Sequence, residues 1–187
     1  MGRQTFTPYE AMSEERQQAF NRIAEGRKVV DGKIGGPFDV WLMNPELATR
    51  AVGLGGMFRF RTSVDRRIIE MAILITGQFW QAQFEWFAHA PMARQAGLAE
   101  HIIEAVKAGN KPDPMADDEA AVWALCTELH HHHRVSDAVF ANAKEAFGEQ
   151  GVAEIVGLIG YYTLVSMTLN TFDVDLPAGA KKPFPDA

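Results

Sequence analysis

The stretch from Ile155 to Leu169, IVGLIGYYTLVSMTL, carries no charged side chain and is bracketed by Glu154 and Asp173. It is shorter than the roughly 20 apolar residues a membrane span needs. A helix this apolar in water has to be wrapped by other elements. The rest of the chain therefore has to supply its cover.

Helical patterns dominate that remainder. Ser13 is a suitable N-cap for a helix with Phe20, Ile23 and Ala24 on one side. Residues 31–47 read as a glycine- and proline-rich loop. Pro45 to Phe60 follows as a helix with Leu47, Val52, Leu54 and Met57 on one side, and Gly53, Gly55 and Gly56 permit close packing there. Thr62 or Ser63 is expected to cap a helix to about Phe79, with Ile68, Met71, Ala72 and Ile75 at spacings of three and four. Further helices are predicted from Gln81 to Ala96, from Leu98 to Ala108, from Asp117 or Asp118 to Leu129, from Ser136 to Phe147, and from Val152 to Phe172. Gly97, Gly109 and Gly148 act as stop signals. No run alternates as a strand would, no period repeats, and no linker divides the chain. The expected fold class is all-α, a single domain over residues 1–187 with its core at about 35–175. Residues 174–187 are expected to be a loosely held tail.

Composition removes several functions. The formal net charge is −6, unlike the basic stripe of a nucleic-acid binder. A lone cysteine, Cys126, excludes a disulfide or a dithiol cycle within one subunit. The N-terminus is polar and lacks a secretory apolar core, so a cytoplasmic protein without membrane contact is expected. The glycines of Gly35-Gly36-Pro37 lack the lysine and hydroxyl ending of a phosphate loop. His130 to His133 cannot all point one way on a helix. They read as a solvated helix end, where imidazolium suits the dipole, and no metal ligand set is expected.

The chemistry concentrates in AQFEWFAHAPMARQAG, residues 82–97. Glu85 and His89 lie four apart on one helical face, in the company of Phe84, Trp86 and Phe87. On the preceding helix Glu70 sits among Ile68, Ile69, Met71, Ala72, Ile73 and Leu74. A carboxylate there must be paired or neutral. If the two helices form an antiparallel hairpin, two carboxyls and an imidazole meet in an apolar pocket, suited to acid–base chemistry.

Three segments carry a family resemblance. Glu70-Met-Ala, Phe84-Glu85-Trp86-x-x-His89 and Ala93-x-x-Ala96-Gly97 resemble the core of the carboxymuconolactone decarboxylase family, within the alkylhydroperoxidase D-like superfamily. The stretch FGEQGVAEIVGLIGYYTLVSMTLNTF resembles that family's C-terminal half. In the peroxidase branch a glutamate is followed by Cys-x-x-Cys and a histidine. Laid on this chain, the glutamate is Glu70, the histidine is His89, and the cysteine positions hold Ala82 and Glu85. The resemblance thus keeps the scaffold and the Glu/His pair but removes the thiols that peroxide reduction needs.

The decarboxylase branch implies loss of carbon dioxide from a small carboxylated lactone with no metal or organic cofactor. Glu70, Glu85 and His89 are then the catalytic candidates. Phe38, Trp41 and Trp86 are candidate apolar walls and Tyr162 a candidate donor to the lactone carbonyl. An anionic substrate also needs cations, for which Arg59, Arg61 and Arg94 are the candidates. The resemblance further implies a homo-oligomer, trimer or hexamer. Two alternatives stay open: a thiol peroxidase dependent on Cys126, and a non-catalytic ligand-binding or assembly protein on the same scaffold.

Overall fold

The structure is a computed structural model that describes residues 2–185. Among them are eight α-helices and no strand: α1 (Glu14–Ala24), α2 (Phe38–Trp41), α3 (Pro45–Phe60), α4 (Arg66–Phe79), α5 (Gln83–Gln95), α6 (Glu100–Lys107), α7 (Asp117–His132) and α8 (Asp137–Phe172). The all-α expectation therefore holds. Helix α4 lies at the centre and packs against α5, α6, α7 and α8. Every residue from Ile68 to Gly77 is buried as a result. This is why Glu70, chemically out of place in that run, ends up with no solvent exposure.

The apolar stretch of α8 forms the other half of the core, with Ile155, Leu158, Ile159, Tyr162, Val165 and Leu169 buried. By length and composition α8 could cross a membrane, yet half of its apolar window is buried inside the fold. Gly148 interrupts it with φ +68° and ψ 170°, a left-sided conformation that glycine adopts without a Cβ penalty. The predicted helix end at Gly148 is thus a kink between two helical segments.

Helix starts differ from expectation in two places. Asp65, not Thr62 or Ser63, caps α4, its carboxylate accepting from the Arg67 N–H at 2.8 Å. Ala116, not Asp117 or Asp118, occupies the N-cap of α7, and Glu119 reaches back to accept the Ala116 N–H at 2.8 Å. In both, a carboxylate satisfies a free helix-end amide: the cap's own at α4, and one three residues along at α7. The tail is also held more firmly than composition suggests. Phe184 is buried, and its backbone N–H donates to the Gln83 side chain at 2.9 Å. Residues 186–187 of the expected loose tail lie outside the described residues.

The histidine run is not uniformly solvated. His131, His132 and His133 are exposed, but His130 is buried. Its ring stacks on Phe79 with centroids 4.5 Å apart, and its Nε2 lies 3.1 Å from the Thr76 hydroxyl. Burial, and the charge of His131, push His130 down to about 4 from an ordinary value of 6.5. Its neutral form fits the fold, so the unfolded chain takes up the proton first as pH falls. The His130 contribution is complete above about pH 6.5 and is lost as pH falls toward about 4. His130→Gln is expected to flatten the fall in urea midpoint between about pH 7 and about pH 5. An unchanged slope would contradict this.

Candidate active site

The hairpin of α4 and α5 brings the sequence candidates together. The turn is short: Ala82 N–H donates to Gly77 O at 2.8 Å, and Gln81 takes a positive φ of 50°. Glu70 on α4 then faces His89 on α5. His89 Nδ1 lies 2.7 Å from Glu70 Oε2, and His89 Nε2 lies 3.6 Å from Glu85 Oε2. All three side chains are buried. Arg66, one turn before Glu70, places its guanidinium against Glu70 Oε1 and also donates to the Arg59 carbonyl. The Glu70 carboxylate is ion-paired with Arg66 at Oε1 and hydrogen-bonded to His89 at Oε2. Nδ1 therefore carries its hydrogen toward Glu70, and Nε2 is the nitrogen left for chemistry.

Glu85 has the opposite environment. Its Oε2 is buried and has no hydrogen-bond partner. Burial pushes its carboxyl above the usual range; His89 and Arg59 oppose that and Glu70 reinforces it. A neutral Glu85 is a proton donor. The site thus sets a potential base, His89 Nε2, beside a potential acid, Glu85. A raised folded value means the contribution is full below about pH 4.5 and is lost as pH rises through the raised value. Glu85→Gln is expected to melt above the wild type at alkaline pH and to converge with it in acid. Parallel pH profiles for the two proteins would count against a perturbed Glu85.

Glu85 and His89 line a cavity of about 350 Å³ shared with Phe38, Phe84, Met92, Tyr161, Tyr162 and Arg59, among others. Tyr162 meets the His89 ring edge-on at 5.1 Å. Burial, reinforced by Glu85, pushes its phenol well above the ordinary value, so it stays protonated as a donor. Phe38 lines the cavity as expected, but Trp41 and Trp86 do not. Trp41 is locked in the core, its indole N–H donating to the Thr168 hydroxyl at 3.1 Å. Trp86 packs on Phe184 with centroids 5.3 Å apart. Both rings face inward because α2 and α5 each turn one side to the core. Of the three arginines expected to offer positive charge, only Arg59 lines the cavity. Arg61 is exposed, and Arg94 is exposed and paired with Glu100 at 2.5 Å.

Three polar side chains of the lining were not among the sequence candidates: Arg27, Lys28 and Tyr161. Tyr161 had a signal. Gly55 is the notch that receives it, since a Cβ there would land on the Tyr161 hydroxyl and ring. Arg27 and Lys28 come from the segment after α1, which reaches the cavity because α1 packs on α3. The Gly35 loop is closed internally: Asp39 accepts the Ile34 and Gly35 N–H groups at 3.1 and 2.7 Å. A side-chain carboxylate already fills the place an anion would take on those amides.

This helical arrangement, with its central hairpin, is the alkylhydroperoxidase D-like fold. Two solved structures share it. One is a protein of unknown function from Agrobacterium tumefaciens, a candidate antioxidant defence protein AhpD, with TM-score 0.67 at 16% identity over 76% of this chain and 99% of that one. The other is an uncharacterized peroxidase-related protein from Silicibacter sp. TM1040, with TM-score 0.69 at 12% identity over 89% of this chain and 86% of that one. At such identities the likeness establishes the fold. No protein-family model matches the chain, and no curated protein matches it.

Proposed function

We propose that the chain is a cofactor-free acid–base enzyme acting on a small carboxylated lactone or a related carbonyl acid, with decarboxylation as the reaction it suits best. One observation carries this: the relay Glu70–His89–Glu85 is buried, and its His89 and Glu85 end opens into a cavity of small-molecule size. Decarboxylation breaks the bond from the substrate carbon to its carboxylate, and the electron pair remains on the substrate as an enolate. Carbon dioxide leaves. A proton from neutral Glu85 or from the His89 imidazolium then reaches the carbon, and solvent returns it to the enzyme. Tyr162, edge-on to the His89 ring, is placed to stabilise the enolate oxygen. Glu70 fixes the His89 tautomer and ring.

Peroxidase chemistry has less support. Ala82 and Glu85 stand where that chemistry needs thiols. Cys126 is fully buried on α7, and burial pushes its thiol far above the ordinary value, the reverse of an activated thiolate. The solvent-exposed Leu54, Val156, Leu164 and Met167 on α3 and α8 support the proposal of a homo-oligomer.

The test is a screen of small carboxylated lactones and keto acids for carbon dioxide release. Release by the wild type and by Cys126→Ser, but not by a folded His89→Ala, is the expected outcome. Release that survives in His89→Ala, or peroxide reduction that depends on Cys126, would overturn it.

A further inference from the structure

Positive charge at the cavity is in excess of what the relay needs. Arg27, Lys28 and Arg59 all line it. Among the described residues, no carboxylate lies within ion-pair distance of Arg27 or Arg59. Arg59 is partly buried, donates one Nη2–H to the Met92 sulfur at 3.2 Å, and has a buried Nε with no partner. Arg27 lies over the Phe38 ring with its guanidinium carbon 4.8 Å from the centroid, and donates to the Ile23 carbonyl. The other titratable lining residues are His89, Glu85, whose carboxyl burial pushes up, and two tyrosines, whose phenols burial pushes up. Burial, then the like charge of Arg59, pushes Arg27 below its ordinary value. Two guanidiniums thus repel one another across a cavity whose carboxyl among the described lining residues, Glu85, forms no ion pair with either.

A weakly hydrated planar cation held this way is arranged for a planar anion. We infer that Arg27 and Arg59 together form a receptor for a carboxylate group of the bound molecule, in the same cavity that His89 and Glu85 line. This deepens the acid–base proposal and rests on it for the chemistry that follows binding. It also narrows the substrate. Arginines gripping a departing carboxylate would stabilise the ground state and oppose loss of carbon dioxide. The group they hold is therefore one the reaction retains, and the reacting carbon lies toward His89. Arg27 belongs to a segment before residue 35, so part of this specificity sits outside the stretch that resembles the decarboxylase core.

Calorimetric titration of the full chain with succinate and, separately, with succinamide tests this without requiring turnover. Succinate is expected to bind and succinamide to bind at least about tenfold more weakly. Raising the salt concentration should weaken succinate further. Arg27→Gln and Arg59→Gln are each expected to weaken succinate by about tenfold or more while leaving succinamide unchanged. His89→Ala is expected to keep succinate binding. Arg27 is exposed, so its variant keeps the test valid should Arg59→Gln fail to fold. Equal binding of succinate and succinamide, no binding of succinate, or succinate binding indifferent to Arg27→Gln would each overturn the receptor. Arginine-dependent binding with no proton transfer in any assay would leave the receptor standing and remove the enzyme.

Discussion

Glu70→Ala is expected to lower the free energy of unfolding by about 3–5 kcal/mol, the range for breaking a buried ion pair from one side. Glu70 has no solvent exposure, and both of its oxygens face positive or hydrogen-bearing groups, Arg66 on one side and His89 Nδ1 on the other. Removing the carboxylate leaves the His89 Nδ1–H buried without an acceptor and the Arg66 guanidinium half-buried without a counter-charge. It also opens a small void in the most tightly packed helix of the fold. Glu70→Gln keeps the volume and an acceptor, so it should lose less. Urea denaturation at neutral pH checks this. A loss below about 1 kcal/mol, the worth of an exposed pair, would mean that Glu70 is not the anchor of the relay. A structural role and the proposed catalytic one coincide at this residue, since the ion pair with Arg66 that explains it structurally also holds the carboxylate against His89.

The second large effect concerns activity. With any substrate the cavity turns over, His89→Ala is expected to reduce turnover by about a hundred- to ten-thousand-fold, the usual contribution of a positioned general acid or base. The loss should fall on turnover more than on binding, because the proposed anion receptor is built from other residues, Arg27 and Arg59. His89 is at the wall rather than the centre of the core, so its removal should leave helicity intact. Added imidazole is expected to restore part of the rate by entering the space left behind. Full activity in a folded His89→Ala would place the chemistry on other residues.

Much of the fold is legible from spacing alone. Ile68, Met71, Ala72 and Ile75 mark α4, and Ser13, Asn44 and Ser136 each accept from a backbone amide three residues on. The misplaced caps at Asp65 and Ala116 share a cause: several acidic or hydroxyl residues compete within a few positions, and only tertiary packing decides among them. His130 differs from its three neighbours because one face of α7 meets α4 at Thr76 and Phe79, which four identical letters cannot reveal.

The site divides in the same way. Glu70, Glu85 and His89 were visible because polar residues in an apolar helical hairpin stand out. Trp41 and Trp86 could not be told from Phe38 by sequence, since a large aromatic suits a core and a pocket wall equally. Arg27 was invisible for a different reason. Nothing local distinguishes it from other exposed cations near the N-terminus, and only the packing of α1 on α3 carries it to the cavity.

Solvent proton exchange measures the central chemistry most directly. Small carboxylated lactones and keto acids would be incubated with the protein in deuterium oxide, and deuterium entering at the carbon next to the carbonyl read by proton NMR. Exchange catalysed by the wild type and absent in His89→Ala is the expected result. Exchange at the same rate in both proteins, or in neither across the whole panel, would contradict an acid–base site built on Glu70, His89 and Glu85.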